Sequence, residues 1–269
     1  MMTLGVTGAF GFDDFPQPQV LSHYASAGCR ILQVYRNRQR SVPASDILAI
    51  TKDLPLEIDS IHGHFGDDLD PSSEDEAVRR ASVELYRREA DFCRRLGGSL
   101  VVVHPCPANV PPSDLDNRHE QLRKSFAELA RIGEQTGVRF AFENMPPYHP
   151  LGPDVARLVR EVAAAASPHI VFLLDTGHAY MNGRIGDAVR AAGPYLAYTH
   201  VHDNDGKNDT HKLPFNGNLP WDECRQALHD IRYDGVFLLE VFEPTPDLPK
   251  LLTSDWTRRI ERILDNGIT

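Results

Sequence analysis

The sequence predicts an α/β fold, a single (β/α)8 TIM barrel occupying residues 1–269. Apolar runs of strand length alternate with helix-like stretches from end to end, and eight such pairs can be counted. Alternation of this kind implies parallel strands joined by right-handed crossovers, and eight units suffice to close a barrel. The open doubly wound alternative is disfavoured because no GxGxxG follows the first strand.

Taken in order, Leu4–Thr7 reads as a short first strand and Gln17–Ala27 as a helix closed by Gly28. Arg30–Tyr35 is the second strand, and a helix at Ser45–Lys52 has Ser45 as its expected N-cap. Glu57–His62 is the third, followed by a long helix, Ser73–Leu96, whose acidic opening suits a helix N-terminus and which Gly97-Gly98 stops. Strand four, Ser99–His104, leads to a helix within Ser113–Thr136, and strand five, Arg139–Asn144, to one at Pro153–Ala166. Strand six is the run Val171–Asp175, with a short helix near Ile185–Ala192. Strand seven, Tyr195–His202, precedes a polar loop and a helix at Trp221–Ile231; strand eight, Gly235–Phe242, precedes a last helix within Asp247–Leu264.

A 41% hydrophobic content supports a sizeable core, and no run of about 18 apolar residues is present to cross a membrane. The N-terminus lacks a basic flank and a long apolar region, so a cytoplasmic protein is expected. Cys29, Cys93, Cys106 and Cys224 show no CxxC spacing and read as reduced thiols, with Cys106 a packing residue. The net charge of −10 argues against general nucleic-acid binding, although a local basic patch would override it.

The chemistry gathers at strand ends. In a parallel barrel the C-terminal strand ends share one face. That face would collect His62, His104, Glu143, Asp175, His178, His200 and Glu240, joined by Asp209 and His211 from the loop after strand seven. A lone strand-end histidine or carboxylate is usually scaffold. Nine together would repel without a cation, and a set free of cysteine suits Zn²⁺, Mn²⁺ or another first-row divalent ion. His64 and His202 each lie two residues from a candidate ligand and read as substrate contacts or alternative ligands. His23, His119, His149, His169 and His229 fall in helices or connections and read as surface residues.

The motifs Ile61-His62-Gly63-His64-Phe65, Val103-His104-Pro105, Phe142-Glu143-Asn144 and Leu174-Asp175-Thr176-Gly177-His178-Ala179 occur in this order. They continue with Thr199-His200-Val201-His202-Asp203-Asn204-Asp205-Gly206, Asp209-Thr210-His211 and Leu238-Leu239-Glu240. In these the sequence resembles the xylose isomerase-like barrels, a group that includes endonuclease IV, the inosose-processing enzymes and the ketose 3-epimerases. The resemblance runs from strand three to strand eight and is weak in the first thirty residues. It implies a four-ligand metal site at Glu143, Asp175, His200 and Glu240, as in the epimerases and isomerases. The resemblance also favours His200 over His202, because the family's ligand histidine stands three residues before the acidic residue that Asp203 matches. It also implies the larger endonuclease set: His62 and His104 sharing Glu143, and His178, Asp209 and His211 around a third ion.

Two readings of the chemistry follow from that resemblance. In the favoured one the protein is a sugar or sugar phosphate isomerase/epimerase working through a metal-stabilised enediolate. Glu143 and Glu240 then move the proton and His178 orients a substrate oxygen. In the alternative, three Zn²⁺ ions bound by all nine residues hydrolyse a phosphodiester, as in an AP endonuclease. The basic loop after strand two, carrying Arg36, Arg38 and Arg40, stands at the expected mouth together with Lys207 and Lys212. It would grip a sugar's phosphate or a nucleic-acid backbone, or simply face solvent. The expected partners are one to three metal ions and a small carbohydrate; nucleic acid is less favoured, no membrane is involved, and a homo-oligomer is left open.

Overall fold

The computed structural model describes residues 1–110 and 114–265. Eight parallel strands close into a barrel in sequence order, β1 pairing with β8. The strands are β1 (Thr3–Phe10), β2 (Ile31–Arg36), β3 (Glu57–His62), β4 (Leu100–Val103), β5 (Arg139–Glu143), β6 (Ile170–Asp175), β7 (Leu196–Val201) and β8 (Val236–Leu239). The first six helices are α1 (Gln17–Ser26), α2 (Ala44–Thr51), α3 (Glu76–Arg95), α4 (Leu115–Thr136), α5 (Val155–Ala164) and α6 (Thr176–Met181). The remaining four are α7 (Ile185–Ala192), α8 (Trp221–Asp230), α9 (Leu248–Leu251) and α10 (Ser254–Leu264). No helix among the described residues is long and apolar enough to cross a membrane.

Alternation along each strand divides the core in two. Residues such as Val101, Phe140, Phe142, Phe172, Leu174 and Phe237 face outward and join the helices in one large cluster. Their neighbours Leu100, Val102, Ala141, Leu173, Tyr198 and Leu238 form a separate cluster inside the barrel. The residue two further along each of five of these strands shares that inner face: His104 follows Val102, Glu143 follows Ala141, Asp175 follows Leu173, His200 follows Tyr198 and Glu240 follows Leu238. The packed barrel interior is therefore the floor of the ligand cluster.

Several local expectations need correction. β1 runs to Phe10, pairing with β2 as far as Arg36, because Gly8-Ala9-Phe10 keeps an extended backbone. Ser45 is not the N-cap of α2; Pro43 occupies that position, its φ of −62° set by the ring, and Ser45 lies in the first turn. The cap of α3 is Asp75, which accepts from Ala77 N, so Ser73 stays in the preceding turn. Ser113 lies outside the described residues; α4 begins at Leu115 under the Asp114 cap. An unexpected helix, α6, follows β6 directly because Asp175 serves as its cap, accepting from His178 N at 2.7 Å. All four cysteines are buried and free.

The loop after β7 is organised by one carboxylate. Asp203 is fully buried and accepts from Asn204 N (2.9 Å) and Leu219 N (3.0 Å) on Oδ1. Its Oδ2 accepts from Phe215 N (2.9 Å) and Trp221 Nε1 (2.8 Å). Four donors on one anion hold the loop that carries Asp209 and His211, and an amide at this position would turn its own donors against them. Asp203→Asn is expected to cost about 2–4 kcal/mol and lower the thermal midpoint by roughly 5–10 °C. A scanning-calorimetry shift below about 2 °C would mean that the loop is held by something else.

Candidate metal centre

The strand ends converge as their alternation requires. His200 Nδ1 lies 2.9 Å from Glu143 Oε1 and 3.1 Å from Glu240 Oε2, tying β5, β7 and β8 together. His104 Nε2 is 3.3 Å from Glu143 Oε2, and His62 Nε2 stands 3.8 Å from Glu143 and 3.9 Å from Glu240. On the far side, His178 Nε2 is 3.2 Å from Asp209 Oδ2, and His211 Nε2 is 3.4 Å from Asp209 Oδ1. Mutually close ligand atoms form the groups Glu143–Asp175–His200–Glu240, His62–His104–Glu143 and His178–His202–Asp209–His211, all within 4.8 Å in each group. These ten residues, the nine expected ligands and His202, form one contiguous cluster, buried except for the half-buried His104, Asp209 and His211.

Backbone carbonyls orient several of the rings. The Nδ1 atoms of His62, His178 and His211 lie 2.8, 2.8 and 3.0 Å from the carbonyl oxygens of Gly63, Asn144 and Glu240. Donating there leaves each neutral ring's Nε2 lone pair aimed at the centre, as a metal ligand requires. Asn144 in turn clamps Asp175, donating to its carbonyl (3.0 Å) and accepting from its N–H (2.7 Å).

Burial alone would push Glu143 and Glu240 up, but the His200 cation outweighs it. Glu143 is held well below the carboxylate range, and Glu240 at about 2. Burial likewise opposes charge on His178 and His211, yet Asp175 and Asp209 beside the first and Asp209 beside the second raise them to about 10 and about 9. Burial and the neighbouring His104 instead lower His62 to about 4. Protons on imidazoles therefore balance the carboxylates where a divalent cation would do so more compactly. Glu143 Oε2, Asp175 Oδ2, His200 Nε2, Asp209 Oδ1 and both ring nitrogens of His202 are buried without a hydrogen bond of acceptable geometry. Hydrogen-bond-starved donor atoms at ligand spacing, on oxygen and imidazole nitrogen, fit Zn²⁺ or Mn²⁺.

A cavity of about 380 Å³ opens over this centre, with Tyr35, Phe65, Met145, Tyr148 and Phe242 in its wall. His149 also lines it, half-buried, its Nδ1 3.2 Å from Cys106 O and its ring beside His104; the expectation of a plain surface residue does not hold. Nothing in the strand pattern pointed to His149, since it comes from the β5–α5 connection. Cys106 packs beneath that connection, its thiol 3.3 Å from Leu151 N and pushed up to about 12 by burial.

Of the residues expected to touch substrate, His202 is fully buried in the centre, 3.0 Å from Asp175 Oδ1 and stacked on His211 at 3.9 Å. The others lie elsewhere. His64 stands outside the cavity lining, 3.9 Å from Glu89. Arg36 is buried against Glu89 and over the Phe92 ring, Arg38 forms a two-pronged pair with Asp68 (2.5 and 2.6 Å), and Arg40 another with Asp13 (2.7 Å each). Lys207 and Lys212 are exposed, and no lysine or arginine lines the cavity among the described residues. Each arginine of the loop is thus spent on a carboxylate that sequence spacing did not reveal.

A family model described as xylose isomerase-like TIM barrel matches residues 21–260. Uncharacterized protein MJ1311 of Methanocaldococcus jannaschii is 32% identical over 67% of this chain and 63% of its own length. The chain therefore spans a little under two thirds of that relative. Fructoselysine 3-epimerase of Shigella flexneri is 23% identical over 71% of this chain and 69% of its own. D-psicose 3-epimerase of Agrobacterium fabrum is 28% identical over 65% and 61%. Among solved structures, a D-tagatose 3-epimerase-like protein superposes with a TM-score of 0.78 at 23% identity, covering 98% of this chain and all of that one. At these identities the structural likeness speaks to the fold alone.

The centre also depends on a glycine. A Cβ on Gly177 would overlap the His202 imidazole, which is walled on its other face by His211. Gly177→Ala should cost about 1–3 kcal/mol by overpacking and weaken Zn²⁺ binding to metal-stripped protein about 10–100-fold through the displaced ring. Titration calorimetry on the variant checks this; wild-type affinity together with wild-type stability would show that His202 has room to move.

Proposed function

The chain belongs to the xylose isomerase-like TIM barrel family, and on that premise we propose that it is a divalent-metal-dependent sugar epimerase or isomerase. The observation that carries this reading is the fully buried group Glu143, Asp175, His200 and Glu240, four ligand atoms from four strands at metal-binding separation. These residues would hold the ion. When bound, it supplies Lewis-acid stabilisation of the charge that develops on neighbouring sugar oxygens as a carbon-bound proton leaves.

The chain's own groups do the rest. Glu143 ends β5 and Glu240 directly follows β8, three strands apart around the barrel, so a sugar seated over the ion would be approached by the two carboxylates from different sides. Removal of a proton by one and its return by the other inverts a carbon centre; transfer to the neighbouring carbon isomerises the sugar. His178 would hold a substrate oxygen from the α6 side. The aromatic wall excludes water and packs on the apolar face of a sugar. With no lysine or arginine in the lining among the described residues, an unphosphorylated sugar suits the cavity better than a sugar phosphate. The names of the relatives, a fructoselysine 3-epimerase and a D-psicose 3-epimerase, support the reaction class.

A three-metal phosphodiesterase is the second reading, favoured by the His62–His104–Glu143 and His178–His202–Asp209–His211 groups. Against it stand the paired arginines, since Arg36, Arg38 and Arg40 are each committed to a carboxylate rather than free for a phosphate backbone. About one tightly held ion per chain after mild purification is expected on the sugar reading. About three ions, with cleavage of abasic duplex, would replace it.

Glu143→Gln and Glu240→Gln should each lower kcat on a ketose by about 10²–10⁴-fold while the variants stay folded. Carbon-proton exchange with deuterated solvent, followed by NMR, reads the same step without requiring net conversion. Near wild-type exchange in either variant would remove that carboxylate from the proton-transfer role.

A further inference from the structure

The proposed sugar site does not end at the cavity wall. Tyr35 and Phe65 line the cavity, and both also line a second, open hollow whose other sides are Phe12, Asn37, Gln39 and the Arg38–Asp68 pair. Phe12 stacks beside Tyr35 at 5.3 Å and 20°, and Tyr35 beside Phe65 at 6.1 Å and 12°. Three nearly parallel rings thus run from Phe65, which lies against His62 and His104 yet remains 40% exposed, through Tyr35 to Phe12. Core packing does not call for a row of aromatic rings left open on one side.

The polar groups of this hollow are of a particular kind. Arg38 and Asp68 neutralise each other through two hydrogen bonds, so no net charge is offered. Asn37 is committed to Gly11 O and to Gln39 N, which fixes the turn. The Gln39 side chain is exposed and makes no hydrogen bond among the described residues. An aromatic platform, a free amide and the outer edges of a neutral ion pair match a ligand with an apolar face and many hydroxyls. A phosphate or carboxylate would have to pull Arg38 away from Asp68.

We propose that this hollow is a second subsite, which takes an uncharged glycosyl unit attached to the ketose held over the metal centre. The inference rests on the sugar reading and adds to it that the preferred substrate is a substituted sugar. The two units lie on either side of Tyr35 and Phe65, in contact with the same rings.

The test compares D-fructose with its 4-O- and 6-O-glycosylated forms, lactulose and isomaltulose, on the metal-loaded protein. At least one glycosylated form is expected to exceed fructose in kcat/KM by about ten-fold or more. Phe12→Ala and Gln39→Ala, both outside the cavity lining, should each remove most of that advantage while changing kcat/KM for fructose less than about two-fold. Saturation-transfer NMR should place the glycosyl protons against the protein in wild type and not in the variants. Turnover of fructose without any glycosyl advantage, or equal losses on both substrates in Phe12→Ala, would overturn the subsite and leave the epimerase reading standing. No exchange or turnover of any of the three sugars would overturn both.

Discussion

The two-residue repeat of a parallel strand inside a closed barrel is the constraint from which the site follows. Once Ala141, Leu173, Tyr198 and Leu238 are committed to the interior, Glu143, Asp175, His200 and Glu240 have no choice of direction. They must stand on top of that layer and against one another. A shift of one residue in any of these strands would turn its ligand outward among the helices and bring an apolar side chain into the centre. The hydrophobic core and the ligand cluster are therefore one pattern seen at two heights along the barrel.

That geometry brings a problem of charge. Glu143, Asp175 and Glu240 are almost wholly inaccessible, with Asp209 beside them, and burying carboxylates together is costly unless each finds a counter-charge. The surrounding histidines can supply it as imidazolium ions, at the expense of leaving several ring nitrogens and carboxylate oxygens without hydrogen bonds. A divalent ion would resolve both difficulties at once, since it would add charge without adding donors that need acceptors. The carbonyl partners of His62, His178 and His211 fix the orientation of each ring through Nδ1, so that Nε2 would face an ion on losing its proton.

The barrel and its polar rim were legible in the chain because both rest on short-range pattern. Apolar runs that end in His, Asp or Glu mark strand ends directly, and the order of eight βα units leaves few topologies open. What was not legible depends on contacts distant in sequence. The helix α6 appears only because one oxygen of Asp175 caps it, leaving the other for the centre. Asp203 looked like a marker beside His200, yet it gathers donors from as far as Trp221. His149 enters the cavity from a connection that carries no periodicity at all.

The basic loop after β2 illustrates the same limit and bears on the chemistry. Arg36, Arg38 and Arg40 read as a row of free cations when only their own spacing is considered. Their partners, Glu89, Asp68 and Asp13, come from α3, from the β3–α3 connection and from the β1–α1 connection. Spent in this way, the guanidinium groups brace three connections around the mouth, and their own positive charge is matched by carboxylates. The entrance then offers amides, aromatic rings and a neutral ion pair, with the exposed Asp67 carboxylate in the cavity lining, while most of the charged groups lie in the candidate ligand cluster below. Under the proposed function, a ligand that enters would carry its reactive oxygens at one end and little charge at the other, as a neutral sugar does and a nucleic-acid strand does not.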